Sequence, residues 1–145
     1  MNTAAPDLTD PAIYWSWADD TIRFGDMDAT GHVNNVAFAR YVEGGRVPFM
    51  RSGLLPAYDD RQRFVVGNLS IRFREQAYYP GTVRIGTGVL RLGRTSLVLG
   101  HGVFSEGKCL ASAETVMVYI VGGKAAELSD EMREKLQPAL IAPAA

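Results

Sequence analysis

The sequence predicts a single α+β domain, in which a curved antiparallel sheet of about five strands wraps around one long central helix. One segment near residue 40 has the three- and four-residue apolar spacing of a helix, and from residue 64 onward apolar and polar residues alternate. Glycine-containing turns separate the alternating runs. Because 145 residues suffice for one compact domain, we assign residues 1–13 to a flexible N-terminal tail and residues 14–140 to the domain.

The first element of the domain is a strand over residues 14–24, which a polar loop over residues 25–32 connects to the helix. Asn34 is the expected N-cap, since its side chain can accept from a first-turn amide. Gly44, Gly45 and Pro48 oppose a regular helix. We therefore expect either a kink or packing so close that glycine is required. The residues on the apolar face are Val36, Phe38, Tyr41, Val42, Gly45 and Phe49.

The second half of the chain predicts strands. Residues 64–73 alternate as a half-buried strand, with Val65, Gly67, Leu69, Ile71 and Phe73 on one face. Three further turn-linked strands over residues 83–89, 96–104 and 110–121 indicate an antiparallel meander, and residues 129–136 a short closing helix. A sheet wrapped around one helix leaves edge strands unpaired. We therefore expect a homodimer or homotetramer that pairs these edges.

Composition excludes several classes of function. The net charge is −1, so no overall basic field indicates binding to nucleic acid or to a membrane. The chain has one cysteine and two histidines, without metal-ligand spacing, so we expect neither a metal nor another cofactor. The N-terminus does not read as a secretory signal, and no apolar run approaches the length of a membrane span. The expected location is the cytoplasm.

Residues that carry chemistry are concentrated in the loop before the helix. Asp26, Asp28, His32, Asn34 and Asn35 all lie within ten positions. The first amides of a helix lack internal partners and favour negative charge, so a carbonyl bound there would be polarised as it becomes an oxyanion. A carboxylate just upstream could attack that carbonyl or activate water. Composition alone favours a helix-capping role for Asp28, since Asp is common at helix starts, whereas Asp26 is expected to accept hydrogen bonds from loop amides.

The run R-F-G-D-M-D-A-T-G-H-V-N-N-x-x-x-x-R-Y-x-E, from Arg23 to Glu43, resembles the opening of hotdog-fold thioesterases related to 4-hydroxybenzoyl-CoA thioesterase. The resemblance extends over about residues 14–121. It implies a hotdog fold and hydrolysis of acyl-CoA thioesters to free acid and CoA. The His-Val-Asn-Asn element is also similar to plant-type acyl-carrier-protein thioesterases, although those have asparagine where this chain has Thr30.

The resemblance also implies roles for individual residues. Asp28 matches the catalytic carboxylate, as nucleophile or general base, and the backbone amide of Asn35 matches the group that holds the thioester carbonyl. His32 matches a histidine that orients the carboxylate or the substrate. Asn34 and Ser96 are assigned to substrate binding. Two arginines that flank a turn, Arg91 and Arg94, suit the phosphates of coenzyme A.

Two alternatives remain open at this stage. The substrate could be an acyl group on acyl-carrier protein, a large acidic partner that would need a basic surface patch. The protein could also be a non-catalytic acyl-thioester binding module on the same fold, because a fold does not determine function. His101, in the middle of a predicted strand, is expected to be buried or interfacial rather than catalytic.

Overall fold

The computed structural model describes residues 4–142 and shows a mixed α+β domain, as the sequence predicts. A curled antiparallel sheet packs on one helix of 16 residues, shorter than the long helix expected. The strands are β1 (Ser16–Ile22), β2 (Gln62–Phe73), β3 (Gly81–Leu92), β4 (Ser96–Ser105), β5 (Lys108–Val121) and the two-residue β6 (Lys124–Ala125); the helices are α1 (Asn35–Met50) and α2 (Asp130–Leu136).

The strand order is β1-β3-β4-β5-β2, with every pair antiparallel, and β6 pairs with the end of β5. The meander formed by β3, β4 and β5 is the one that the turn-linked pattern predicts. Helix α1 lies across β1, β3 and β4 on the inner face of the sheet. This arrangement leaves β1 and β2 as the two edge strands.

Helix α1 packs against the sheet through Gly45, so the second of the two expectations for its glycines is correct. A Cβ atom built on Gly45 would lie 2.2 Å from Cγ2 of Ile85 and 2.8 Å from its Cβ. Ile85 is fully buried on β3 and has no room to move away. The helix continues through Pro48, whose missing hydrogen bond falls on the exposed side at Gly44.

Two neighbouring alanine substitutions test this contact. Gly45→Ala is expected to lower the free energy of unfolding by about 3 kcal/mol, because overpacking forces a fully buried strand residue to shift. Gly44→Ala is the matched control, since a Cβ there meets nothing within 4 Å, and it should stabilise by up to about 1 kcal/mol through helix propensity. Denaturant unfolding monitored by circular dichroism measures both; equal effects would contradict the close contact.

Strand β2 differs from its prediction, because a bulge interrupts its alternation. The register of β2 against β5 shifts between Val66 and Asn68, so that Val66 pairs with Met117 and Leu69 pairs with Thr115. Directly opposed residues share a face, and Gly67 therefore moves Val66, rather than Val65, onto the inner face. The strand is also more exposed than the half-buried strand expected: Val66 is 46% and Phe73 50% exposed.

The outer face of the sheet is covered by both ends of the described chain. Tyr14, Phe104 and Ile141 form a small apolar cluster there, and Leu8 and Ile13 pack against it. The Tyr14 hydroxyl donates a hydrogen bond to the carbonyl of Leu8. Residues 4–13 of the segment assigned as a flexible tail therefore include contacts with the domain, whereas residues 1–3 lie outside the described residues.

A polar layer crosses the interior beneath Gly45. His101 is fully buried, as expected, with Nδ1 3.0 Å from the hydroxyl of Thr87 and Nε2 2.9 Å from the hydroxyl of Thr115. The three residues belong to the adjacent strands β3, β4 and β5, and the layer separates two apolar clusters. Burial and then the charge of Arg46 lower the pKa of His101 to about 3, so its ring is neutral at physiological pH.

Candidate active site

The loop between β1 and α1 is a short, closed turn. A β-bridge joins Met27 to Val33, the amide of Asp28 donates to the carbonyl of His32 at 2.9 Å, and the amide of Gly31 donates to the carbonyl of Asp28 at 3.1 Å. Gly31 has a φ of 88°, in the left-handed region that favours glycine. These bonds fix the backbone on both sides of the Asp28 side chain.

Asp26 fastens this loop to the helix. Its buried carboxylate accepts hydrogen bonds from the amide of Arg23, the hydroxyl of Tyr41 and the guanidinium of Arg40, and its carbonyl accepts from the amide of Asn34. Burial acts to raise the pKa of Asp26, but these three donors outweigh it and hold the pKa below its ordinary value. Asp26 is therefore ionised at neutral pH and saturated with donors, in keeping with the structural role expected for it.

Asp28 is instead accessible, with 35% of its side chain exposed. Its Oδ1 accepts from the hydroxyl of Thr30 at 2.5 Å and from the Thr30 amide at 2.8 Å. These bonds hold the pKa of Asp28 below its ordinary value, so the carboxylate is ionised at neutral pH. Among the described residues, no hydrogen-bond donor engages Oδ2, and His32 Nδ1 lies 3.8 Å from it. This oxygen is free to act on a substrate.

Thr30 connects Asp28 to His32, a role that the sequence interpretation missed. The Thr30 hydroxyl donates a hydrogen bond to Asp28 and lies 2.9 Å from Nε2 of His32, so its oxygen can accept a hydrogen bond from that nitrogen. The imidazole is held on its other side by an edge-on contact with Tyr78, at 6.3 Å between ring centroids. The two-residue spacing of Asp28, Thr30 and His32 was the available signal, because Asp and Thr side chains commonly bond across such turns.

The N-terminus of α1 supplies an unpaired amide beside this carboxylate. The Asn34 side chain accepts from the amide of Ala37 at 2.8 Å and so caps the helix, as expected. Within residues 4–142, the amides of Asn35 and Val36 have no acceptor. Such amides, at the positive end of a helix dipole, bind developing negative charge.

Asp28, His32 and Asn35 border one cleft of about 370 Å³. Apolar side chains form one wall, in which Phe38 and Phe73 meet edge to face at 5.4 Å. The other wall is the polar segment Arg74, Glu75 and Gln76, which follows β2 and was not predicted. No local pattern marks that segment, because its place beside the loop depends on contacts distant in sequence: β2 pairs with β5, and the amide of Val33 donates to the carbonyl of Ala77.

The other predicted substrate residues lie apart from the cleft. Arg91 is on β3 at the outer face, where its guanidinium is 3.9 Å from Glu114. Arg94 forms an ion pair with Glu127 at 2.9 Å. The carbonyl of Ser96 accepts from the amide of Gly93 in the turn between β3 and β4. The three residues are therefore close in sequence but occupy different surroundings.

A carboxylate, an imidazole and an unpaired helix amide around one cleft are groups that can act on the carbonyl carbon of a bound substrate. The sequence profile of the thioesterase-like superfamily matches residues 22–136. The chain belongs to that superfamily, and this membership confirms the thioesterase class that the resemblance implies.

Two solved structures of proteins named as thioesterases agree with this assignment. The chain is 29% identical to a thioesterase from Thermus thermophilus complexed with coenzyme A and Zn, covering 85% of this chain and 92% of that one, with a TM-score of 0.76. A predicted thioesterase from Bacillus stearothermophilus is 26% identical, with 88% and 98% coverage and a TM-score of 0.80. The Bacillus subtilis protein YsmA is 28% identical over 119 residues, 80% of this chain and 81% of that protein.

None of the helices in the described residues is long and apolar enough to cross a membrane.

Proposed function

We propose that this protein hydrolyses acyl-CoA thioesters to a carboxylic acid and CoA, in the cleft between the loop and the start of α1. The observation that carries the proposal is that an accessible, ionised carboxylate, Asp28, and the unpaired amide of Asn35 at a helix N-terminus border the same cleft. Membership of the thioesterase-like superfamily and the coenzyme A held by the Thermus thermophilus thioesterase support it.

The two groups divide the work at the thioester carbonyl. The Asn35 amide donates to the carbonyl oxygen and stabilises the charge that develops there, as an oxyanion hole does. Asp28 either takes a proton from water, whose oxygen then attacks the carbonyl carbon, or attacks that carbon itself to give an anhydride that water opens. Either route breaks the carbon–sulfur bond, and the thiolate leaves and takes up a proton as free CoA.

His32 and Thr30 position the carboxylate. The Thr30 hydroxyl has one proton, which it donates to Asp28 in a short hydrogen bond. A lone pair of the hydroxyl oxygen therefore faces Nε2 of His32. These hydrogen bonds hold Oδ1 of Asp28 in place and leave its Oδ2 available for the reaction. When water is the nucleophile, His32 orients it beside Asp28 and provides a site for the proton on its way to the leaving thiolate.

The acyl group is proposed to lie on the apolar wall of Phe38 and Phe73. That wall continues along the inner face of β2 through Leu69 and Ile71, which are only partly buried. An apolar surface of this kind, with few polar groups at one end, is typical of a site for an acyl or aryl chain.

We further propose that two copies pair through β2 as a homodimer. Val65, Val66 and Phe73 are exposed on this twelve-residue edge strand, whereas the other edge, β1, carries the charged residues Asp19 and Asp20. An exposed apolar edge is a surface that proteins cover by pairing. Since Phe73 borders the cleft, pairing at this edge would also cover the acyl site from the open side. Light scattering should give a mass of two chains, or four if dimers associate; a monomer would refute the pairing.

The test of function is steady-state hydrolysis of short, medium, long and aromatic acyl-CoA esters, together with the matching acyl-carrier-protein thioesters. Loss of thioester absorbance is the appropriate readout, because a thiol reagent would also react with Cys109, the one cysteine of the chain. Turnover of CoA esters supports the proposal. Turnover of carrier-protein esters alone would show that the substrate is an acyl-carrier-protein thioester and not acyl-CoA. Binding of acyl-CoA without turnover would identify a binding module.

A further inference from the structure

A second depression lies on the outer face of the sheet and carries three arginines that the site described above does not use. We call it the arginine groove. It measures about 590 Å³, and its charged residues are Asp7, Arg72, Arg74, Arg91 and Glu114. Arg72 and Arg74 come from β2 and the residue that follows it, and Arg91 comes from β3, so the groove crosses β5 and β4 between them.

The guanidinium groups in the groove have weak partners within the protein. Arg74 donates only to the neutral hydroxyl of Ser112, at 3.3 and 3.4 Å. Arg91 lies 3.9 Å from Glu114, beyond hydrogen-bond distance, and its side chain is 68% exposed. Among the described residues, no acceptor engages the Arg72 side chain. Three guanidiniums therefore have donors available for an anion, and Arg matches phosphate oxygens in charge and in geometry.

The two acidic residues of the groove offset part of this charge but leave the arginines in excess. Asp7 is occupied by the amide and hydroxyl of Thr9, at 3.0 and 2.6 Å. Glu114 faces Arg91 from the neighbouring part of the sheet, and it leaves Arg72 and Arg74 without a carboxylate in hydrogen-bond range among residues 4–142. The groove is thus a local basic site on a chain whose net charge is −1.

Arg74 borders both the arginine groove and the catalytic cleft. Phe73 faces the inner side at the end of β2, and Arg74 follows it on the outer side, where it contacts Ser112. A ligand that has its carbonyl in the catalytic cleft and extends along the outer side of Arg74 would reach the arginine groove.

We propose that the arginine groove binds the phosphates of the nucleotide of a CoA thioester, with Arg72 and Arg91 as specificity-determining residues. The inference rests on the proposed function and names the part of the substrate that this second surface recognises. A CoA ester joins an acyl group, a flexible arm and a nucleotide with several phosphate charges, in the order in which the cleft, Arg74 and the groove follow one another. Arg94, the other arginine beside the turn, is ion-paired with Glu127 and lies outside the groove.

The experiment compares two substrates with the same acyl group, an acyl-CoA and the acyl-pantetheine that lacks the nucleotide. Arg72→Ala and Arg91→Ala should each raise KM for the CoA ester about tenfold, the value of one charged hydrogen bond, and leave kcat and the KM for acyl-pantetheine unchanged. Arg94→Ala is the matched control, an arginine of similar exposure outside the groove, and should change neither KM. Unchanged KM values for the CoA ester in both groove variants, or equal rises for both substrates, would overturn the assignment.

Binding of adenosine 3′,5′-bisphosphate, the nucleotide part of CoA, gives a readout independent of turnover. Calorimetry should show binding to the wild-type protein, at least tenfold weaker in Arg72→Ala and Arg91→Ala and unchanged in Arg94→Ala. If the nucleotide binds in this pattern but no thioester is hydrolysed, the groove is supported and the proposed function fails. If esters are hydrolysed but nucleotide binding is absent or insensitive to both variants, the groove assignment fails alone. If the groove variants impair only the hydrolysis of acyl-carrier-protein esters, the assignment of the groove to the CoA nucleotide also fails.

Discussion

Replacing Asp28 by asparagine is expected to lower kcat for thioester hydrolysis by about 100- to 10,000-fold, the usual contribution of a positioned general base. Asparagine keeps the shape of the side chain and an oxygen that accepts from the amide and hydroxyl of Thr30. It can neither take a proton from water nor attack a carbonyl. The loop should therefore fold as before, and the loss should appear in turnover and not in stability.

The matched control is Glu75→Gln, the same chemical change at the other carboxylate that borders the cleft. Both variants should have the denaturant midpoint of the wild-type protein, and Glu75→Gln should keep kcat within a few-fold. If Glu75→Gln loses activity and Asp28→Asn does not, the catalytic carboxylate has been assigned to the wrong wall. If neither loses activity, the reaction does not take place in this cleft.

The free energy of unfolding is expected to fall by about 2 kcal/mol between pH 7 and pH 5 because of His101. The ring has a pKa of about 3 in the folded protein and an ordinary value of 6.5 when unfolded. Between these values the unfolded chain binds a proton that the folded chain does not, so stability rises with pH. The contribution is therefore complete above pH 6.5 and is lost progressively as the pH falls towards 3.

His101→Gln provides the comparison, because an amide can still bond the hydroxyls of Thr87 and Thr115 but does not titrate in this range. Urea unfolding at several pH values between 5 and 7 should show a flatter dependence for the variant, whatever its stability at pH 7. This window avoids Asp26 and Asp28, whose lowered pKa values place their titration in more acid solution. Identical slopes for the two proteins would show that folding does not lower the pKa of His101.

Most of the architecture was predictable because it depends on local patterns. The apolar spacing after Asn34 indicated the helix and its cap, and the alternating runs separated by turns indicated the meander. The sequence also indicated the need for glycine at position 45, since two adjacent glycines lower the stability of a helix unless close packing requires one of them. What the spacing could not supply was the partner, Ile85, which lies forty residues away on β3.

The errors arise where long-range pairing decides the outcome. The bulge at Gly67 reverses the faces of the residues before it. A glycine inside a strand often marks a bulge, but the alternating pattern alone does not show that an extra residue is present. The polar wall that begins at Arg74 lies beside the Asp28 loop through contacts distant in sequence, because β2 pairs with β5 rather than with β3 and the amide of Val33 donates to the carbonyl of Ala77. Arg91 and Arg94 look equivalent beside their turn, yet only Arg91 borders the groove that contains Arg72 and Arg74.

The polar layer of Thr87, His101 and Thr115 has a consequence for how substrate preference can change. Val33 and Phe38, which border the cleft, belong to the apolar cluster on one side of the layer, whereas Phe49, Leu97 and Leu136 belong to the other. Substitutions that do not share partners add nearly independently. Residues around the acyl site can therefore be enlarged or reduced for a different chain length, while the second cluster maintains the stability of the fold. The interior is in this sense modular, with one half open to adaptation and the other kept as a scaffold.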